Sequence, residues 1–218
     1  MGSGPRADAG RRSYREDTTK TRHCCPRLNA NAAGALADVL RRSDWFMGAL
    51  DAVTRSGLPD AWIGAGAVRD VVWGERFGCF DPADVRDIDV AFFDPADLSR
   101  ERDVAAQQAL TGVADLPWEA TNQAAVHTWY HHDFGGPPVD AFGSVHDGVA
   151  TWPETATCVA VRLFSTTGGV EVCAPHGLDD LLGGVWRLNP VRVTPEVSAE
   201  RLARFRARWP RLTIVPPG

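Results

Sequence analysis

The chain has 218 residues, a hydrophobic fraction of 44%, a formal net charge of −5 and a pI near 5.7. That length suits one ordinary domain with or without a tail, and an acidic balance with no basic surface argues against general nucleic-acid binding. No run of roughly 18 apolar residues marks a membrane span, the N-terminus lacks the apolar core of a signal peptide, and the scattered cysteines Cys24, Cys25, Cys79, Cys158 and Cys173 lack zinc-ligand spacing, so a reduced, cytoplasmic protein is expected.

Residues 1–27 are rich in Arg, Ser, Thr and Gly and are predicted to form a disordered tail before one domain over 28–218. Asn31 to Arg42 is a predicted helix with Leu36, Val39 and Leu40 on one face. Ser43 or Asp44 is placed to cap a second, carrying Phe46, Leu50 and Val53, which Gly57-Leu58-Pro59 ends. Ala61 to Ile63 reads as a short strand stopped by Gly64-Ala65-Gly66. A helix is predicted from about Ala67 to Trp73, then a loop through Asp84. Arg86 to Phe93 is a second strand, residues 97–111 a helix, Pro117 to Asn122 a third strand and Gln123 to Tyr130 a helix. Residues 131–150 read as loop. Thr157 to Phe164 and Val170 to Ala174 form a predicted hairpin, with a short helix over Gly177 to Leu182. A last helix over Ser198 to Arg208 has Leu202 and Phe205 along one side. This order predicts an α/β or α+β domain, a small mixed β-sheet flanked by helices.

The chemistry concentrates in Asp87-Ile88-Asp89. Side chains two apart on a strand share a face, so Asp87 and Asp89 project together while Ile88, Val90 and Phe92 turn into the other layer. Paired carboxylates repel unless a cation lies between them, and oxygen pairs of this kind suit Mg²⁺ or Mn²⁺. Gly64-Ala65-Gly66, between a strand and a helix, offers backbone N–H groups to a triphosphate, and glycine permits close backbone approach. Arg69, one turn into that helix, is positioned for a phosphate oxygen. A dinucleotide fold is the weaker reading, because the third glycine of that fingerprint would fall at Arg69.

A third carboxylate is expected from a neighbouring strand. Glu119 and Asp140 share an apolar-acid-apolar setting, and chain order favours Glu119. Asn122 and Gln123, with His127 one helical turn on, are candidates for binding base, sugar or acceptor. Glu154 reads by default as a cap. Arg162, inside the apolar strand from Val159 to Phe164, requires an acidic partner or a phosphate.

Taken in order, Trp62-Ile63-Gly64-Ala65-Gly66-Ala67-Val68-Arg69, Asp87-Ile88-Asp89-Val90, Pro117-Trp118-Glu119, Asn122-Gln123-Ala124 with His127, Trp152-Pro153-Glu154-Thr155-Ala156, Val161-Arg162-Leu163 and Ala174-Pro175-His176-Gly177-Leu178-Asp179-Asp180 resemble a bacterial family of predicted nucleotidyltransferases of unassigned substrate, within the DNA polymerase β-like superfamily. The resemblance spans roughly residues 44–210. It implies a nucleotidyltransferase-like fold and metal-dependent transfer of a nucleoside monophosphate from an NTP to an acceptor. Gly64, Ala65 and Gly66 would hold the triphosphate, and Asp87 and Asp89, joined by Glu119, the metals. A small molecule, a protein side chain or a tRNA end are all open as acceptor. The alternative is a non-catalytic nucleotide-binding module of the same fold.

Overall fold

A computed structural model describes residues 28–135, 137–164, 168–191 and 195–216. The tail predicted over residues 1–27, with Cys24 and Cys25, lies outside these residues. Helix α1 (Ala30–Arg41) begins where the Asn29 side chain accepts from the Asn31 N–H. Helix α2 (Asp44–Arg55) begins where the Ser43 hydroxyl accepts from the Phe46 N–H at 3.3 Å. Strand β1 (Trp62–Gly64) leads into α3 (Ala65–Phe77), which Gly78 closes at φ +73°. Helix α3 runs beyond the predicted end at Trp73. A Cβ on Gly74 would overlap Phe80, so this glycine serves close packing and not helix termination.

Strand β2 (Ile88–Phe92) is followed by α4 (Arg100–Val113), capped by the Ser99 side chain, and β3 (Trp118–Asn122). Helices α5 (Val126–Phe134) and α6 (Val145–Val149) come next, then β4 (Ala160–Leu163) and β5 (Val170–Cys173). Helix α7 (Asp179–Gly183), β6 (Val185–Arg187), α8 (Pro195–Arg208) and β7 (Thr213–Val215) end the described chain. Among the described residues no helix is long and apolar enough to cross a membrane.

The main sheet is mixed, in the order β3-β2-β1-β4-β5. Its parallel pair is β2 and β3, joined through α4, with Ile88 beside Trp118 and Asp89 beside Glu119. The two faces follow the alternation along each strand. Ile63, Ile88, Val90 and Val161 pack against Phe46, Leu50 and Val68 in the larger core. Trp62, Ala91, Ala160 and Cys173 pack on the opposite face with Val145 and Val149 of α6. Helix α8 docks on α3 through Trp73, whose ring centroid lies 5.9 Å from that of Phe205 and 6.1 Å from that of Trp209. The Trp73 Nε1–H donates to the Leu181 carbonyl at 2.8 Å, and each aromatic pair adds about 0.5–1.5 kcal/mol beyond its buried area.

Two parts depart from the sequence expectation. Residues 131–150 are not all loop, because α5 continues to Phe134 and α6 forms where the Ser144 side chain accepts from the Asp147 N–H. Strands β6 and β7 pair as a parallel two-stranded sheet, and three residues apiece are too few to show an alternation.

Asn122 is also corrected. It is fully buried; its amide donates to the carbonyls of Asp94 (2.8 Å) and Asp97 (2.9 Å), and its Oδ1 accepts from the N–H groups of Asp94 (3.0 Å) and Ala124 (3.1 Å). With its side chain committed to backbone, Asn122 clamps the exit of β2 and leaves nothing for a ligand. Asn122→Ala strands several buried partners and should lower unfolding free energy by about 2–4 kcal/mol. Urea denaturation reads this, and a loss below about 0.5 kcal/mol would show that the clamp contributes little.

Candidate active site

Glycine stands at 64, the last residue of β1, because of space. The Trp152 ring lies where a Cβ would be, while the Gly64 φ of −139° is open to any residue. The left-handed residue of the turn is Ala65 (φ +46°), whose N–H donates to the Val159 carbonyl at 3.1 Å. A side-chain-bearing residue held there stores about 1–3 kcal/mol of strain, a condition that clusters at functional sites. Gly66 follows, and its N–H donates to Asp89 Oδ2 at 3.3 Å. A Cβ on Gly66 would stand 3.6 Å from Asp87 Oδ1, 3.7 Å from Asp89 Oδ2 and 3.7 Å from Arg69 Nη2. Two carboxylates and one guanidinium therefore converge on the bare backbone of this residue.

Asp89 lies within β2 and is half-buried. Asp87 precedes the strand by one residue and is exposed, on the face the i, i+2 spacing predicts. Glu119 is exposed and stands beside Asp89 in the parallel register, whereas Asp140 lies exposed in the irregular segment before α6. Burial, then the charges of Asp87 and Glu119, push the Asp89 carboxyl up from 3.8 to about 6, against the Gly66 N–H and the charge of Arg69. Among the described residues no group of three or more His, Cys, Asp and Glu side chains is set to hold a metal ion. Glu119 thus reaches Asp89 through its charge and is not a third ligand already in place. The donor chemistry nonetheless fits a hard divalent cation: two converging carboxylates, one carrying an unrelieved repulsion that a cation would remove.

The cations divide unequally. The Arg69 Nε donates to Asp70 Oδ1 at 2.7 Å, and Arg208 of α8 reaches Asp70 Oδ2 at 2.9 Å, so one buried carboxylate holds two guanidiniums. Arg69 also stacks 4.8 Å from the Phe205 ring centroid. Arg162 lies away from the carboxylates, beside Trp62 at 4.1 Å, paired with Glu171 and Asp60. Of the two partners expected for it, an acid or a phosphate, the structure supplies the acid, in the local pair Asp60 and Glu171. Gln123 is buried at the site, packed against Gly148.

Sequence reasoning did not single out Arg201, Trp129 or Tyr130. Arg201 forms a bidentate pair with the buried Glu154, at 2.5 and 2.8 Å, so Glu154 stands at the N-cap position of the short turn Thr155–Thr157 but gives its carboxylate to an ion pair and makes no capping hydrogen bond. Burial opposes the Arg201 charge, but hydrogen bonding and the charge of Glu154 hold its pKa above the ordinary value, with smaller contributions from Asp89 and Tyr130. No local pattern pointed to this pair, because 47 residues separate the two. A cavity of about 130 Å³ opens beside Asp89 and Glu119, with Gln123, Trp129, Tyr130 and Trp152 among its walls.

Residues 51–214 match a family described as Nucleotidyltransferase, and the chain belongs to that family. It is similar to a solution structure described as revealing a CCA-adding enzyme head domain, with 28% identity and a TM-score of 0.68 over 84% of this chain and 96% of that one. The fold also resembles that of a CCA-adding enzyme solved in complex with CTP, at 16% identity and a TM-score of 0.50. That match covers 84% of this chain but 43% of the other, so the chain spans less than half of that enzyme's length. No curated protein matches the sequence. The protein is a nucleotidyltransferase built as a mixed α/β head-type domain.

A carboxyl whose pKa rises on folding makes the folded state bind more protons than the unfolded one. Stability then falls as pH climbs from about 4 through about 6. In metal-free buffer, Asp89→Asn should remove this loss and be about 1–3 kcal/mol more stable than the parent at pH 7.5, with little difference at pH 4. Denaturant titrations at both pH values with a chelator present check this; equal stability at pH 7.5 would show that Asp89 is not strained.

Proposed function

We propose that this nucleotidyltransferase moves a nucleoside monophosphate from an NTP to an acceptor hydroxyl, with Mg²⁺ or Mn²⁺ held by Asp87 and Asp89 and with Glu119 at the same centre. The observation that carries the reading is the convergence of Asp87, Asp89 and Arg69 on the Gly66 backbone. In the reaction the acceptor oxygen bonds to the α-phosphorus, and the bond from that phosphorus to the oxygen bridging to the β-phosphate breaks. Pyrophosphate departs, and the hydroxyl proton passes to a carboxylate oxygen of Asp89 or Glu119. The bound cation supplies charge neutralisation and lowers the pKa of the acceptor hydroxyl.

The chain's own part is mainly positioning and charge. At Gly66 the bare backbone lets a triphosphate come close to the turn. Arg69, oriented by Asp70, presents positive charge beside the turn. The Trp152 ring over Gly64 shields that end of the turn from water. We read residues 28–218 as one domain and the setting as the reducing cytoplasm. Burial pushes the Cys158 thiol up to about 12, and among the described residues Cys79 and Cys158 form no disulfide.

Labelled NTPs incubated with Mg²⁺ and candidate acceptors should release pyrophosphate. A chelator should stop the release, and Asp89→Asn should lower turnover about a hundredfold or more with a melting temperature equal to or above the parent's. A variant as active as the parent would remove Asp89 from the reaction. NTP binding with no pyrophosphate on any acceptor would leave a binding module.

A further inference from the structure

We infer that Arg208 of α8 is a positioning residue for the triphosphate: by sharing the Asp70 carboxylate, it leaves Arg69 with an uncompensated positive charge for phosphate oxygens. This rests on the transfer reading above.

Asp70 divides its two oxygens between two helices. Its Oδ1 accepts from the Arg69 Nε at 2.7 Å and lies 2.5 Å from the Arg69 Nη2, while its Oδ2 meets the Arg208 Nη2 at 2.9 Å. Among the described residues this is the one carboxylate that two arginines share. Arg201 and Glu154 pair one to one, and Arg162 answers to two acids, Asp60 and Glu171. The set of Arg69, Asp70 and Arg208 is therefore positive by one charge. With the Asp70 side chain 4% exposed and that of Arg69 15% exposed, solvent and salt screen this charge only in part. Asp87 and Asp89 do not cancel it in the reacting complex, because there they balance the divalent cation assigned to them.

Helix α8 puts the charge beside the turn. The Arg69 Nη2 lies 3.7 Å from where a Cβ on Gly66 would stand. Phe205 stacks 4.8 Å from the Arg69 guanidinium, and Arg208, three residues further along α8 and so on a neighbouring part of the same face, reaches the carboxylate below it. The Arg208 guanidinium is itself stacked 5.5 Å from the Trp209 ring centroid. Without Arg208, Oδ2 loses its partner, and the Arg69 fork can turn to take both oxygens in the bidentate geometry that arginine favours. The pair would then be neutral, with two of its donors turned away from a phosphate. A contact to the non-reacting phosphates is made alike in the ground state and the transition state, so its loss falls on KM and not on kcat.

The test is equilibrium binding of non-hydrolysable analogues of the four NTPs with Mg²⁺, beside the matching monophosphates. Arg208→Met, which keeps a stem against Trp209, should weaken binding of the preferred analogue about fivefold or more, while monophosphate binding changes less than about twofold. Its analogue affinity should also fall less steeply with added salt than the parent's. In turnover, the NTP KM should rise by a similar factor with kcat within about twofold of the parent. Arg208→Lys should recover most of the loss. Arg208→Gln, uncharged but still able to donate to Asp70, should behave as Arg208→Met and serves if that variant unfolds. Arg206→Met removes an exposed charge from the other side of α8 and should change neither affinity. Analogue affinity unchanged in Arg208→Met and Arg208→Gln, or equal losses for analogue and monophosphate, overturns the role of Arg208 and leaves the transfer reading standing on the parent's pyrophosphate release. A parent that neither binds the analogues nor releases pyrophosphate overturns the two together.

Discussion

Three carboxylates crowd one end of the sheet, and much of the surrounding backbone is arranged to hold them there. Asp89 and Glu119 are neighbours because β2 and β3 run parallel in a fixed register. Asp87 joins them because the residue entering β2 falls on the same face. The bare backbone of Gly66 lets both aspartates approach one point, and the Gly66 N–H offers a hydrogen bond that only partly offsets their repulsion. Ala65, forced to φ +46°, sets that N–H in position. Crowded carboxylates repel one another, and a divalent cation between them would balance the charge.

The cationic side of the site depends on a contact between distant parts of the chain. Asp70 on α3 is buried and is held by Arg69 from its own helix and Arg208 from α8. Trp73, Phe205 and Trp209 pack around the same junction. Helix α8 also sends Arg201 to Glu154, beside the loop whose Trp152 covers Gly64. The last helix therefore closes the core and fixes the charges on two sides of the glycine turn. Asp70 and Glu154 are buried while their arginines are partly exposed, so losing Arg201 leaves the Glu154 charge buried without its partner.

Local rules made much of this legible. The i, i+2 carboxylates, the strand–glycine–helix unit, the cap at Ser43 and the apolar face of β2 each follow from a few adjacent residues. What stayed hidden depends on distance along the chain or on very short elements. Asn122 has the appearance of a ligand-binding amide until the backbone groups of Asp94 and Asp97 are seen to consume it. Arg162 has the appearance of a phosphate ligand until Asp60 and Glu171 stand beside it. Glu154 has the appearance of a cap until Arg201, far along the chain, stands against it. Helix α6, five residues long, and the three-residue strands β6 and β7 are too brief for any periodicity to register.

The central claim is that Asp87 and Asp89 act together as a divalent-cation site. Its most direct test is equilibrium Mn²⁺ binding, followed by electron paramagnetic resonance, with a non-hydrolysable NTP analogue present. The account predicts saturable binding in the parent and at least a tenfold weaker affinity in Asp87→Asn/Asp89→Asn, with the fold retained. Equal affinity in parent and double variant would contradict it, because the cation would then be held elsewhere or by the nucleotide alone.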